Sequence, residues 1–297
     1  MSAKKPFVPV VAVLNMKGGV GKTTITAHVT RVLFERKQAG ALLIDLDPQF
    51  NLTQTLFTRD QYDKLKKSGK TIAAVMEPPS EVGLFEVKTT SLPPPAVSEL
   101  RYTLFHFPNA KPPEQLDIIS GDFALVKYSL MDDGKQLKAV KKRFADFIDA
   151  ARADYRLICI DCNPSSSFLT LCALEVCTHI LVPVRPDRYS VLGLEILSEF
   201  VEGVPSIFPK PQFVVMLNCM PRKATDVMAK TVEAELRGHS VFGVRTLANI
   251  IKESGLLRAK TGYTGFATDR RVSWSQALLD QISLVADELA TKLGVKS

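Results

Sequence analysis

A glycine-rich loop near the start of the chain constrains the fold more than any other feature. The run Lys17-Gly18-Gly19-Val20-Gly21-Lys22-Thr23-Thr24 follows an apolar stretch, Val8 to Leu14, and precedes a helical pattern from Thr23 to Arg36. Glycines let the backbone turn tightly and point successive N–H groups inward, and the following helix adds the positive end of its dipole. A strand, loop and helix in this order predict a phosphate-binding loop.

The loop predicts an ATP site and a Mg²⁺ site in the same place. Lys22 would contact the β- and γ-phosphates, and the Thr23 hydroxyl would ligate Mg²⁺, a hard ion that prefers oxygen donors. We expect the phosphates to lie against the residues of the loop, namely Gly18, Gly19, Val20, Gly21, Lys22, Thr23 and Thr24. Hydrolysis of ATP is the reaction that such a site supports.

Buried strands alternate with helical patterns along the rest of the chain, which predicts an α/β fold. The fold would be a mostly parallel twisted sheet with helices on both faces, in one domain over residues 1–297. Further strands are predicted at 41–46, 116–119, 157–160, 179–184 and 213–217, and helices near 135–153, 168–176, 190–203, 224–237 and 275–293.

A proline-rich region at about 78–115 interrupts the alternation. It contains Pro93-Pro94-Pro95 and Pro112-Pro113. We interpret it as an insertion or long connection on the core, either an irregular surface excursion or a partner-binding loop.

Charge and hydropathy narrow the classes of partner. The chain has 297 residues and a net charge of +7, which favours nucleic acid or an acidic membrane face, although a solvated basic surface would give the same excess. No apolar run reaches the roughly 18 residues of a spanning helix, and no signal-peptide pattern is visible at the start. We therefore expect a cytoplasmic protein without stable membrane insertion.

The cysteines Cys159 and Cys162 lie in a predicted buried strand, so reduced core thiols are expected rather than a zinc site.

Several motifs in order resemble the ParA/MinD family of ATPases. The loop resembles the family's deviant P-loop, whose lysine here is Lys17. The segment 41–53 (ALLIDLDPQFNLT) looks like the family's second motif, and 155–165 (YRLICIDCNPS) looks like its Walker B strand and switch. The segment 181–187 (LVPVRPD) and Gly193-Leu194 also resemble ParA proteins. The likeness covers residues 8–56 and 116–237.

The resemblance implies roles for four further residues. Lys17 would reach across a dimer interface to the nucleotide of a second protomer, where a cation offsets phosphate charge. Asp47 would position the attacking water. Asp45 and Asp161, each at the end of a strand, would support Mg²⁺ through its water shell. For Asp45 and Asp47, capping of a turn before Pro48 is the alternative interpretation.

The resemblance also implies DNA binding without sequence preference. The candidate phosphate contacts are the basic residues Arg222, Lys223, Lys252, Arg258 and Lys260. Asn218 is a candidate adenine reader by its family position, since an amide can pair with an adenine edge. No helix-turn-helix domain precedes the first strand, so sequence-specific operator binding is not expected.

These features together predict a ParA-like ATPase that closes as a homodimer on ATP and locates to the nucleoid. It would move plasmid, chromosome or protein cargo with a ParB-like or cargo-specific adaptor protein. A MinD-like membrane-cycling ATPase is the main alternative, and it would need a basic amphipathic tail beyond the last core helix. An iron–sulfur electron carrier and an amidoligase share the loop, but the expected upstream cysteine and the carboxylate-substrate site are not evident.

Overall fold

The computed structural model describes residues 7–79, 86–107, 114–130, 134–165, 167–223, 225–257, 263–270, 272 and 275–296. In this part of the chain seven strands form one sheet. They are β1 (Val10–Val13), β2 (Ala41–Asp45), β3 (Tyr102–Phe107), β4 (Glu114–Ile119), β5 (Leu157–Asp161), β6 (His179–Val184) and β7 (Gln212–Leu217). Their order is β3-β4-β2-β5-β1-β6-β7. Of these seven, only β3 runs antiparallel to its neighbour, so the predicted mostly parallel sheet is confirmed.

Ten helices accompany the sheet in the described residues. They are α1 (Lys22–Lys37), α2 (Asn51–Leu56), α3 (Arg59–Lys67), α4 (Ile72–Met76), α5 (Val97–Leu100), α6 (Gly134–Ala151), α7 (Phe168–Val176), α8 (Ser190–Gly203), α9 (Val227–Gly238) and α10 (Ser275–Leu293). Short 3₁₀ turns lie at 123–129, 243–245, 255–257 and 267–269. None of these helices is both long and apolar enough to cross a bilayer.

Side chains of each central strand alternate between two hydrophobic cores, as a pleated strand requires. Val10 and Ala12 of β1 belong to the core that also contains the apolar residues of α6, α7, α8 and α9. Val11 and Val13 belong to the core shared with α1 and α10. The helices therefore cover both faces of the sheet, and the strand ends that carry the predicted site residues share one edge.

The proline-rich region is more regular than the sequence indicates. Helix α5 and strand β3 lie within it, and β3 pairs with β4 in antiparallel register with an irregularity between Thr103 and Phe105. Phe107 stacks on Phe34 of α1 at 4.8 Å, and the guanidinium of Arg31 lies 4.1 Å from the centre of the Phe105 ring. An irregular excursion is thus wrong for residues 97–107, because 97–100 form a helical turn and 102–107 form an edge strand that pairs with β4 and packs on α1.

Candidate nucleotide-binding site

The glycine loop connects the end of β1 to the start of α1, as predicted. Gly19 and Gly21 adopt left-handed backbone conformations, with φ of 74° and 93°. A Cβ added at Gly21 would lie 2.4 Å from Nδ2 of Asn218, whereas one added at Gly18 or Gly19 would meet nothing within 4 Å. The loop is therefore packed on its inner side at Gly21 and open to a ligand at Gly18 and Gly19.

Lys22 is a buried cation at the first position of α1. Its ammonium donates to the backbone carbonyl of Lys17 at 3.3 Å. Burial lowers the pKa of Lys22, and the nearby carboxylates of Asp161 and Asp47 oppose that shift. Among the described residues no carboxylate lies within ion-pair distance of this ammonium. A phosphate in the loop would supply the missing anionic partner.

Thr23 and Asp161 are in direct contact below the loop. The Thr23 hydroxyl donates to Oδ2 of Asp161 at 2.7 Å, and the Thr26 hydroxyl donates to Oδ1 at 3.2 Å. Burial, followed by the charge of Asp45, raises the pKa of Asp161 well above its usual value. A nearby cation would stabilise the ionised carboxylate, and hydroxyl and carboxylate oxygens are the donors that Mg²⁺ prefers.

Asp45 is aligned with Asp161 across β2 and β5, yet its hydrogen bonds point elsewhere. Oδ2 of Asp45 accepts from the backbone N–H of Thr53 at 2.8 Å and from the Thr53 hydroxyl at 2.7 Å. Burial raises the pKa of Asp45 to about 7. The three predicted metal residues therefore do not form one cluster, since Thr23 and Asp161 touch while Asp45 holds α2. In the described part of the chain, no group of three acidic, histidine or cysteine side chains could hold a metal by itself.

Asp47 lies on the wall of the cavity that opens from the loop. Its Oδ1 accepts from the backbone N–H of Gln49 at 2.9 Å. Burial raises the pKa of Asp47, and the charge of Lys22 opposes the shift. The cavity measures about 890 Å³ and extends from the loop past Asp47 to α2, Leu256 and Leu257, and the segment 263–270.

Asn218 lies behind the loop rather than in this cavity. It is 1% exposed, and its Nδ2 donates to the carbonyl of Val20 at 2.9 Å. Its Oδ1 is buried without a hydrogen-bond partner among the described residues. Asn218 thus supports the backbone of the loop from within, a packing role that the sequence did not predict. Recognition of adenine by Asn218 stays a prediction, and it would need the buried Oδ1 to become accessible to the base.

Lys17 is exposed and bonds within its own chain. Its ammonium lies 2.5 Å from Oδ2 of Asp187, in the turn before α8. Hydrogen bonds from Lys17, Tyr189 and Ser190 lower the pKa of Asp187, against the effect of partial burial. Sequence reasoning included Asp187 in the family-like segment 181–187 but gave it no role in the site, because its contact with Lys17 joins residues 170 positions apart.

The basic residues predicted for DNA fall into two groups. Arg222, Lys223 and Lys252 are exposed at the same end of the sheet, since Met220 and Lys252 pair as a parallel bridge. Nε of Arg222 also donates to the carbonyl of Glu253 at 2.9 Å. Arg185 joins this group through its ion pair with Glu253 at 3.2 Å, which sequence reasoning did not identify. Arg258 and Lys260 lie outside the described residues.

Three features define a P-loop nucleotide hydrolase: a mostly parallel sheet, a glycine loop leading into a helix, and the contact between Thr23 and buried Asp161 beside buried Lys22. Comparison with known proteins narrows the class. Residues 8–210 match the family AAA_31, described as an AAA domain. A ParA family protein of Chlamydia trachomatis is 33% identical over 203 residues, which cover 67% of each chain. The chain belongs to this family of ParA-type partition ATPases.

Two further similarities concern longer stretches of the chain. The chromosome-partitioning ATPase Soj of Thermus thermophilus is 28% identical over 245 residues, covering 81% of this chain and 80% of the relative. The solved structure of pNOB8 ParA bound to nonspecific DNA superposes with a TM-score of 0.66 at 20% identity. That match covers 97% of this chain and 99% of pNOB8 ParA, and at this identity it shows a shared fold.

Proposed function

We propose that this chain is a Mg²⁺-dependent ATPase that dimerises on ATP, binds DNA nonspecifically and moves a cargo with an adaptor protein. The contact between Thr23 and Asp161 beneath an open glycine loop carries the first part of the proposal. The loop N–H groups and Lys22 would bind the triphosphate. Thr23, with Asp161 behind it, would hold Mg²⁺, which would neutralise charge on the phosphates.

We assign the water-orienting role to Asp47. Its carboxylate lies on the cavity wall and is close enough to Lys22 for their charges to interact. A carboxylate there can accept a hydrogen bond from a water and hold it in line with a phosphate bound to the loop. Lys17 would offset the charge that develops during transfer, after leaving Asp187 to reach the second protomer's nucleotide.

Replacement of Lys22 and Asp47 separates binding from hydrolysis. Lys22→Ala is expected to lower nucleotide affinity by at least tenfold, because it removes the buried cation. Asp47→Ala should keep affinity within about threefold but lower phosphate release by at least a hundredfold. Both are measured with a fluorescent ATP analogue and a phosphate-release assay with and without Mg²⁺. Lys142→Ala, at an exposed lysine on α6, is the matched control. Normal turnover by Asp47→Ala would remove the assigned role.

DNA binding is supported by the exposed cluster of Arg222, Lys223 and Lys252 and by the similarity to the DNA-bound pNOB8 ParA. Charge reversal of Arg222 and Lys252 should weaken binding to duplexes of unrelated sequence by similar factors. It should also lower the slope of log K against log salt by about one for each phosphate that is no longer neutralised. Lys142→Glu is the control. A weaker affinity for one sequence only would contradict nonspecific binding.

The membrane-cycling alternative receives no support from α10. Its apolar stripe of Leu278, Ile282, Val285 and Leu289 is at most 4% exposed and belongs to the core shared with α1. A helix with its apolar face buried in the core has no such face for lipid, so we favour DNA as the polyanionic partner.

A further inference from the structure

The cavity that opens from the glycine loop extends beyond the loop itself. It continues along α1 to His28, which at 1.5 Å per residue lies about 9 Å from Lys22. We call this far part the distal arm, and it is lined by His28, Thr55, Phe57, Tyr263 and Arg270. The whole cavity of about 890 Å³ lies within the range of roughly 300–1,000 Å³ that is usual for ligand pockets. Phosphates bound to the loop would leave the distal arm accessible to a second small ligand.

The segment 263–270 forms one side of the distal arm and is held to two helices. The backbone N–H of Gly265 donates to the carbonyl of Thr55 in α2 at 2.8 Å. Phe266 is 3% exposed and meets the His28 ring of α1 edge-on, with 6.1 Å between the ring centres. The segment lies beyond the family match, which ends at residue 210, so membership of the family does not account for this arm.

Two buried nitrogens of the distal arm lack hydrogen-bond partners. Nδ1 of His28 and Nε of Arg270 have none among the described residues. The Arg270 guanidinium stacks on the Tyr263 ring, 3.3 Å from its centre, and no described carboxylate pairs with it. The neighbouring Asp269 pairs with Arg31 instead, at 3.4 Å. Buried polar atoms without partners destabilise the folded chain, and a ligand that reaches both nitrogens would remove that cost.

The charges of the cavity favour an anion in this arm. Lys22, Arg59 and Arg270 are its cations, and Asp47, beside the loop, is the only acid among the described residues that line it. Burial, followed by the charge of Arg270, lowers the pKa of His28 to about 4, so its ring is neutral at neutral pH. An arginine held against an aromatic ring is suited to an oxyanion, because the guanidinium fork matches two of the anion's oxygens.

We propose that the distal arm binds a second phosphate group, as inorganic phosphate or as part of a small phosphate monoester, while a nucleotide occupies the loop. Arg270 would bind two phosphate oxygens, and His28, with its proton on Nδ1, would donate to a third. A phosphate offers these donors three terminal oxygens, one more than a carboxylate. Duplex DNA is too large for the arm, where His28 is only 4% exposed. The proposal rests on the proposed function only for the nucleotide in the loop.

Titration calorimetry on the full chain tests the proposal, with a non-hydrolysable ATP analogue and Mg²⁺ saturating the loop. The probes are inorganic phosphate and phenyl phosphate, whose ring can pack on Phe57. Tighter binding of phenyl phosphate would identify a monoester as the ligand, and equal or weaker binding would identify the free anion; both results support the site. Arg270→Gln should weaken binding at least tenfold, because charge-assisted hydrogen bonds are lost, and His28→Leu should weaken it several-fold.

Two further variants separate the distal arm from its surroundings. Arg59→Gln, at an arginine of the same cavity whose side chain is 93% exposed, is the matched control and should bind the probes within about twofold of the wild type. Lys22→Ala without nucleotide should still bind them, because the distal arm does not include the loop lysine. A wild type without ATPase activity can show the same pattern, so failure of the proposed function is distinguishable.

The proposal is overturned if neither probe binds the wild type saturably, if Arg270→Gln binds like the wild type, or if Arg59→Gln loses as much affinity as Arg270→Gln. Loss of binding in Lys22→Ala with retention in Arg270→Gln would place the phosphate in the glycine loop instead. Displacement of phenyl phosphate by duplex DNA would assign Arg270 to the DNA-binding surface. Melting temperatures check the folding of each variant, and if Arg270→Gln does not fold, the comparison of His28→Leu with Arg59→Gln decides.

Discussion

Gly21 shows how one residue can be required by both conformation and packing. Its φ of 93° is a backbone conformation that side chains with a Cβ adopt at a cost of about 1–2 kcal/mol. The added Cβ would also lie 2.4 Å from Nδ2 of Asn218, which holds the carbonyl of Val20. The glycine therefore permits close packing between the loop and the end of β7.

Gly21→Ala is expected to destabilise the chain by about 2 kcal/mol or more, because strain and the clash with Asn218 add. The free energy of unfolding from urea titration measures the effect. Gly18→Ala is the control, since its Cβ would meet nothing within 4 Å and its φ is not left-handed. We expect less than about 0.5 kcal/mol there. Equal effects of the two substitutions would contradict the packing role assigned to Asn218.

The buried carboxylates predict a pH dependence of stability without metal. The folded pKa of Asp45 is about 7, above its ordinary 3.8, mainly because of burial. The folded state thus retains a proton that the unfolded state releases above about pH 4. This contribution to stability is fully present below that pH and is lost as the pH rises through 7, by about 1.4 kcal/mol per pH unit for one group.

Asp45→Asn should flatten this dependence, since the amide oxygen can still accept from Thr53 and carries no charge. The free energies of unfolding of the variant and the wild type, measured from about pH 4.5 to 7.5 in metal-free buffer, should converge or cross as the pH rises. Parallel curves would show that Asp45 does not carry the titration. Removal of Asp45 also lowers the repulsion on Asp161, so the residual slope tests their coupling.

At the scale of elements, strands buried on both faces were predictable and short segments were not. The parallel strands are continuous apolar runs, and β6 agrees with its predicted bounds of 179–184. Helix α3 had a readable signal, because Thr58 and Gln61 form a capping box, but only Leu65 of this helix is buried, so it has no apolar stripe. Strand β3 is as long as β4, β6 and β7, but it lies between proline-rich stretches, and its irregular pairing with β4 and its stacking on α1 are tertiary contacts.

The nucleotide site was predictable only where its residues are close together in the sequence. The glycine loop is such a case, because the strand before it and the helix after it determine the relative positions of its residues. The hydrogen bonds of Asp45 to Thr53, of Asn218 to Val20 and of Lys17 to Asp187 are tertiary, and none has a spacing that a sequence pattern could reveal. Sequence thus indicates which residues surround a nucleotide, while the structure determines which of them already have partners.

At the scale of the whole molecule, the ion pair between Lys17 and Asp187 opposes the proposed dimer. Lys17 must leave Asp187 to reach a second protomer, and the pair is partly exposed, with side-chain exposures of 45% and 28%. Exposed ion pairs contribute about 0–1 kcal/mol each. Two such pairs break when two protomers close, so the restraint on dimerisation is modest and reversible.

Asp187→Asn is therefore expected to lower the dimer dissociation constant in ATP by about two- to tenfold, because it removes the charge that holds Lys17. The amide oxygen can still accept from the Tyr189 N–H, so the start of α8 is preserved. Sedimentation velocity with a non-hydrolysable ATP analogue measures the constant, and Lys17→Ala in the same background separates the two roles. If Lys17 acts across the interface, Lys17→Ala weakens the dimer whether or not Asp187 is present. A weaker dimer in Asp187→Asn alone would instead place Asp187 among the groups that stabilise the closed state.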